Sequence, residues 1–418
     1  MRRSLPRFAQ GAAGSLSLLL RLASLAGKLG LSLYMGKFFP LAELGLYGLA
    51  FGAVMLAIVI FGFRIDYIVA REILGMDRQK QREVGTTVGL IYVLSFVAAA
   101  PIALAALFLE GGGKGIQFLL LVYLLCGVEA YANFLYTVTI ALKRPALANA
   151  LFFIRSGLWT APAIVVSYLR PDYRTVDFVI FCWLAGAGAS VLLNLWVMRS
   201  NLLVLSGWRT LPWKMLALDI RKAALVWIGS IGITLGAYVD RFVLASFLSL
   251  DDVGVATFYT SFTAAALTLV QSATTSVTFP QMIQRYDEGD QAGYRDELRR
   301  TAKLALWLGL LILIGLAGAM FVLGQFMDKP ELVAAYPTFL LLLFATFART
   351  HGETLYYGLF VERKHRAIWL GNLMFLGASL SLNLALIPLF GLPGLGISAI
   401  SSAVLITGWR AAKLRQSA

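Results

Sequence analysis

Residues 38–46 read Phe38-Phe39-Pro40-Leu41-Ala42-Glu43-Leu44-Gly45-Leu46, and residues 247–255 read Phe247-Leu248-Ser249-Leu250-Asp251-Asp252-Val253-Gly254-Val255. The two stretches lie 209 residues apart, half of the 418-residue chain. Phe, Leu and Gly coincide between them, and Glu43 falls on Asp252. Each copy closes one long apolar run and opens the next. A duplication of this kind divides the chain into an N-terminal bundle, 1–209, and a C-terminal bundle, 210–418. A fainter echo sets Lys143-Arg144-Pro145-Ala146 against Lys364-His365-Arg366-Ala367, although basic residues are expected at such helix ends anyway.

The apolar runs around these markers are long. Of all residues, 59% are hydrophobic and only 14% are charged, with a mean hydropathy of +0.77. A soluble domain of this length does not have that balance, so the solvent is a bilayer. Twelve runs reach the ~20 residues needed to cross hydrocarbon. They cover about 12–36, 43–66, 84–109, 116–142, 146–169, 177–198, 223–248, 253–282, 301–326, 332–358, 367–389 and 393–412. The expectation is an all-α polytopic membrane protein with two pseudo-symmetric bundles of six helices. An even number per half makes the repeats parallel, related by an axis along the membrane normal. The basic start, Met1-Arg2-Arg3-Ser4-Leu5-Pro6-Arg7, reads as the flank of a retained first helix, since no small-residue cleavage site follows it.

Positive charge is abundant but sorted. Of 36 Lys and Arg residues, only Lys37, Lys114, Arg170, Arg174 and Lys329 fall in alternate loops on one side. Most others fall in the opposite loops, which the positive-inside rule assigns to the cytoplasm together with both termini. The pI of 9.8 is then a topology signal, and no nucleic-acid partner is expected. The interval 199–222, with Pro212 and Arg209 among its residues, reads as a linker on the inner surface, with an interfacial amphipathic piece. Arg64, Asp66, Arg71 and Glu72 read as anchors at the inner end of the second run.

Chemistry of the usual enzymatic kinds is missing from the pattern. No G-x-x-x-x-G-K-[ST], G-x-S-x-G or H-E-x-x-H string occurs. His351-Gly352-Glu353 lacks the Pro-Cys-x-x-Cys of a zinc deaminase. Cys126 and Cys182 read as small core residues. No metal, no cofactor and no enzymatic activity is expected; coupling to H+ or Na+ is left open.

What remains is a set of ionisable residues inside the spans: Arg21, Lys28, Arg155, Arg241 and Arg349, with Glu129 and Asp240. Charge at membrane depth is costly and defaults to function. In the first span Ser17, Arg21, Ser24, Lys28 and Ser32 follow steps of 4, 3, 4 and 4, so they share one face. That face must meet protein or water. Asn133, Thr268 and Gln271 are further candidates for lining a polar cavity, and Glu129 and Asp240 for ion coupling. Glu129 with Arg155, and Arg349 with Glu353 four residues on, are alternatively structural pairs. Gly48-x-x-x-Gly52 and Gly232-x-x-x-Gly236 point to close helix packing.

Together these features resemble the MOP superfamily, which includes Wzx-type polysaccharide flippases, the lipid II flippase and MATE exporters. Phe38 to Gly48, Gly62 with Arg71-Glu72, and Asp240-Arg241-Phe242-Val243-Leu244 followed by Asp251-Asp252-Val253-Gly254 are most similar to the Wzx type. The resemblance implies a V-shaped pair of bundles around a cationic cavity. It also implies export of an undecaprenyl-diphosphate-linked oligosaccharide, such as an O-antigen, lipopolysaccharide or exopolysaccharide unit, across a bacterial inner membrane. Arg21 and Lys28 would bind the diphosphate, assisted by Arg155, Arg241 and Arg349. A glycan polymerase and chain-length machinery would be partners beside the bilayer itself. A lipid II flippase and a cation-coupled MATE exporter are the alternatives, the second disfavoured by the surplus of cations.

Overall fold

The computed structural model describes residues 7–109, 115–202 and 213–416. Among them no strand occurs, and the chain is a succession of helices. Of the inner-surface linker expected at 199–222, residues 203–212 lie outside the described residues, while 199–202 end the helix Val176–Leu202 and 213–222 begin the helix Trp213–Phe247. Among the described residues eleven helical segments are long and apolar enough to cross a bilayer. The remaining expected span is α14 (Tyr336–Val361), 26 residues long. Its Thr346, Arg349, Thr350, His351 and Glu353 lower its mean hydropathy.

The first compact unit comprises residues 1–31 and 53–227. It holds most of α1 (Arg7–Phe38), the end of α2 (Leu41–Ile60), then α3 (Ile65–Glu72), α4 (Arg78–Leu109), α5 (Gly115–Ala141), α6 (Pro145–Phe153), α7 (Thr160–Leu169), α8 (Val176–Leu202) and the start of α9 (Trp213–Phe247). Two of its spans are interrupted. Between α2 and α3, Gly62, Phe63 and Arg64 all take positive φ, at 76°, 53° and 58°. Gly62 fits because its missing Cβ leaves room for the Tyr92 ring. The break frees helix carbonyls, and the Trp227 indole N–H donates to that of Val59 at 2.9 Å. Between α6 and α7, Ile154–Leu158 forms a π-turn. Pro162 accounts for it: proline has no N–H for the Leu158 carbonyl, and its ring pushes that carbonyl aside.

The second unit comprises residues 32–52 and 228–418. It contains α10 (Leu250–Ala273), α11 (Thr275–Asp287), α12 (Gln291–Gly324), α13 (Pro330–Ala334), α14, α15 (His365–Phe390) and α16 (Leu392–Arg415). The α1–α2 hairpin packs inside this unit, against its own repeat. A methyl group on Gly45 would collide with the Leu250 carbonyl, and one on Gly254 with the Leu41 carbonyl. The 209-residue offset exchanges these two contacts, carrying Gly45 onto Gly254 and Leu41 onto Leu250, and Gly48 lies against its own equivalent, Thr257. The helix starts are firm on the α10 side: Ser249 caps α10 and exchanges hydrogen bonds with Asp252 in a capping box. Small residues here let two helices cross backbone to backbone, the usual way to gain dispersion energy in a bilayer.

A second seam joins α9 to α15. Asn372 donates to the Gly229 carbonyl at 3.1 Å, and Ser379 to that of Gly236 at 2.8 Å. Gly232 lies against the Asn372 backbone.

The crossing makes a prediction. Gly45→Ala and Gly254→Ala each place a methyl against backbone that cannot rotate away, at a cost of about 1–3 kcal/mol. Thermal unfolding of the detergent-purified protein, followed by tryptophan fluorescence, should show a lowered midpoint for both. Gly377→Ala, at a position with open space around it, should leave the midpoint unchanged or raised.

Candidate substrate-binding site

In the first unit the polar face of α1 is turned onto α6, the π-turn and α7. A Cβ on Gly157 would press on the backbone of Ser24, and one on Gly27 on the Thr160 hydroxyl. Ser24 is buried and donates to the Leu20 carbonyl at 2.9 Å. Ser17 is half-buried and Ser32 buried. Arg21 is exposed, yet its guanidinium donates to Asn149 Oδ1 at 3.0 Å and to the Tyr136 hydroxyl at 2.7 Å. Both partners are neutral, so the positive charge of Arg21 is not cancelled by them.

Two helical turns further along, Glu129 of α5 collects three partners. Arg155 Nε lies 3.2 Å from its Oε2, with both side chains less than a tenth exposed. The Trp183 indole N–H donates to its Oε1 at 2.7 Å. Lys28 feels the attraction of Glu129 and the repulsion of Arg155. The Trp183 ring stacks on Trp159 at 5.5 Å, nearly parallel. Arg155 rides on the π-turn, above the Phe152 ring at 5.6 Å. Its Nη1 is buried without a hydrogen-bond partner. Beside it is a small cavity of about 10 Å³, bordered by Tyr136, Ser190 and Asn194. That is room for one water.

Glu129 and Arg155 are therefore a buried ion pair, the first of the two pairings expected. The Lys28 side of the stripe needs correcting. Sequence places no acid near Lys28, but folding brings Glu129 of α5 into its electrostatic reach. One carboxylate thus serves two cations, and Arg21 adds a third positive charge on the same face.

In the second unit Arg241 of α9 is 7% exposed. Its Nη2 donates to the Thr260 hydroxyl at 3.2 Å, and the guanidinium lies over the Tyr238 and Phe51 rings at 5.0 and 5.6 Å. Its Nε and Nη1 are buried with no hydrogen-bond partner. Asp240 spends one carboxylate oxygen on the Arg241 backbone N–H, 2.9 Å away. Asp240 also senses the charges of Arg241 and Arg349. Arg349 is half-buried and lies 5.9 Å from the Phe375 ring centre.

The expected Arg349–Glu353 pair is not made. Glu353 is taken instead by Arg410, at 3.2 Å, which also donates to the Gly352 carbonyl at 2.9 Å. Arg410 is 3% exposed, so it is a packing residue of α16 rather than an interfacial anchor. Its buried geometry outcompetes an i,i+4 contact worth only a few tenths of a kcal/mol. Among the polar candidates, Thr268 is exposed and donates to the Ala264 carbonyl of its own helix at 2.8 Å. Asn133 and Gln271 are half-buried.

Asn149, Trp183, Thr260 and Arg410 were not singled out by pattern. Each is a neutral or loop-like residue in sequence and acquires its role only through a partner far along the chain. Asn372, Ser379 and Asn383, at steps of 7 and 4 on α15, did carry a readable stripe.

No family model matches the sequence, and no match is found among curated proteins. Solved structures do match. The lipid II flippase MurJ in its inward closed conformation superposes with a TM-score of 0.73 at 12% identity, over 95% of this chain and 87% of that one. A mutant of the Vibrio cholerae MATE transporter VcmN follows at 0.64 and 16%, over 97% and 98%. An outward-facing multidrug resistance MATE family transporter of the MOP superfamily gives 0.55 and 16%, over 97% and 93%. The fold is that of the MurJ and MATE structures. With eleven segments fit to span, the protein is a multi-pass membrane protein.

The Glu129 network supports a stability prediction. Glu129→Gln leaves the buried Arg155 guanidinium against a neutral amide, at a cost of about 3–5 kcal/mol. The double variant Glu129→Gln, Arg155→Met should regain most of the lost thermal midpoint. Equal losses in the single and double variants would show that the charges are not coupled.

Proposed function

We propose that the protein is a flippase for an undecaprenyl-diphosphate-linked oligosaccharide. It carries that substrate by alternating access from the cytoplasmic to the outer leaflet of a bacterial inner membrane, with both chain termini in the cytoplasm. The observation that carries this reading is the set of guanidinium nitrogens left without acceptors: Arg155 Nη1, Arg241 Nε and Arg241 Nη1. Buried N–H groups are satisfied as a rule, and an empty one at membrane depth asks for a ligand oxygen. Diphosphate oxygens have the charge and fork geometry that arginine matches.

Arg21 and Lys28 in α1 supply charge to the same end. Lys28 and Arg155 share the Glu129 carboxylate and Arg21 adds a charge bonded only to neutral groups, while Arg241 and Arg349 share Asp240. A transporter of cationic drugs needs the reverse excess. In this reading Glu129 is a counter-ion that fixes Arg155 and Lys28, and Asp240 does the same for Arg241. A lipid-linked diphosphate with a peptide-bearing sugar fits the same cations. The choice between such a substrate and a glycan repeat unit lies in the sugar, which the cations do not touch. The glycan polymerase and its chain-length machinery enter as the consumers of an exported repeat unit.

The test is export of surface glycan in a host that depends on this protein for it. Arg241→Ala and Arg21→Ala should each lower export at least tenfold while membrane levels stay normal, with Arg241→Lys intermediate. Normal export in both alanine variants would sink the anion-binding reading, and a gain of resistance to cationic drugs on expression would favour the MATE one.

A further inference from the structure

The helix α12 is longer than a bilayer requires. Its 34 residues span about 51 Å at 1.5 Å each, against a hydrocarbon thickness of about 30 Å. Leu304–Gly324 contains no charged residue and is long enough to cross. The preceding stretch, 291–303, therefore projects beyond the hydrocarbon as a continuation of the same rigid helix.

Two faces of α12 can be told apart by what covers them. Tyr294, Glu297, Thr301 and Ala305 are buried against protein. Thr301 donates to the Thr278 hydroxyl at 3.0 Å, and Glu297 lies 3.7 Å from Arg285. The opposite face is bare: Trp307, Leu311 and Ile314 are 71%, 69% and 63% exposed. In a bilayer this bare face meets acyl chains, with Trp307 at the depth of an interfacial aromatic.

Arg299, Lys303, Trp307 and Leu311 follow at steps of four, a drift of only about 40° per step. Arg300 lies between Trp307 and Leu311 in angle. Lys303 and Arg300 thus stand above the lipid-facing surface and Arg299 at its edge. Among the described residues neither Arg300 nor Lys303 has an ion-pair partner, and the Arg299–Asp296 pair is loose at 4.0 Å.

We propose that Arg299, Arg300 and Lys303, with Trp307 beneath them, form a binding site for the headgroup of an acidic glycerophospholipid. The acyl chains of that lipid lie along Trp307, Leu311 and Ile314. Charge complementarity selects the occupant: the apolar half of the site takes any lipid, and the cationic half takes an anionic one. Loop charge places this end of α12 in the cytoplasm, where the leaflet surface is negative. The positive-inside rule asks only for basic residues in such a loop. It does not ask for them to share one angular sector with the lipid-facing side chains.

The experiment is native mass spectrometry of the full-length protein in detergent with phosphatidylglycerol, phosphatidylcholine or undecaprenyl diphosphate added. Wild type should retain phosphatidylglycerol preferentially. The triple variant Arg299→Gln, Arg300→Gln, Lys303→Gln should lose at least tenfold of that retention, each cation contributing on the order of fivefold, with phosphatidylcholine unaffected. If the triple variant is not monodisperse, Lys303→Gln alone is measured and should lose severalfold. Equal phosphatidylglycerol retention in wild type and variant overturns the site. Preferential retention of undecaprenyl diphosphate over phosphatidylglycerol, abolished by the same variant, overturns it in favour of a substrate-capture surface.

Discussion

Two glycine-to-carbonyl approaches, Gly45 to Leu250 and Gly254 to Leu41, hold the α1–α2 hairpin against the start of α10. Lipid tails are as apolar as leucine, so no hydrophobic effect drives helices together inside a bilayer. Close backbone approach replaces it, and only residues without a side chain permit that approach. The duplicated sequence supplies the permission twice, at matching places. A single glycine would give a one-sided contact. A pair at a 209-residue offset gives a reciprocal one, in which each copy presents its glycine to the carbonyl of the other. The hairpin that begins the first half of the chain is consequently part of the second compact unit.

The charges obey a different constraint. Each ionised side chain at membrane depth needs a counter-charge, a hydrogen-bond partner or water. Glu353 with Arg410 meets that demand within one unit, and the pair is closed by the Gly352 carbonyl. Glu129 meets it for Arg155 and only shares in it for Lys28. Arg241 meets it with a hydroxyl and two aromatic faces, leaving two nitrogens empty. The gradation separates charges that hold the bundle together from charges that have donors left over. Arg155 and Arg241 lie on the second side of that division, and Arg410 on the first.

The fold was largely legible in the sequence, because bilayer thickness sets helix length and hydropathy reads it directly. The Gly45 and Gly254 match was visible too, although a linear alignment says only that the two positions are equivalent, not that they touch. The interruptions were less readable. Pro162 marks the π-turn before α7, and Gly62 marks the left-handed break after α2, yet both lie inside runs whose hydropathy is continuous. The candidate site was legible by residue type and only half legible by partner. Glu129 and Arg155 sit on successive spans and found each other. Trp183 comes from a third span, Thr260 from the next span after Arg241, and no periodicity connects them. Arg349 and Glu353 had ideal spacing, and a buried arginine from α16 took the carboxylate. Local spacing loses to tertiary geometry wherever a fully buried partner is within reach.

The central claim is that the unsatisfied guanidinium N–H groups donate to the oxygens of a diphosphate. Calorimetric titration of the purified full-length protein in detergent tests it most directly, with undecaprenyl diphosphate in one cell and the lipophilic cation tetraphenylphosphonium in another. Saturable binding of the diphosphate, weakened by added salt, together with no binding of the cation, is the expected result. Saturable binding of the cation with none of the diphosphate would contradict the account.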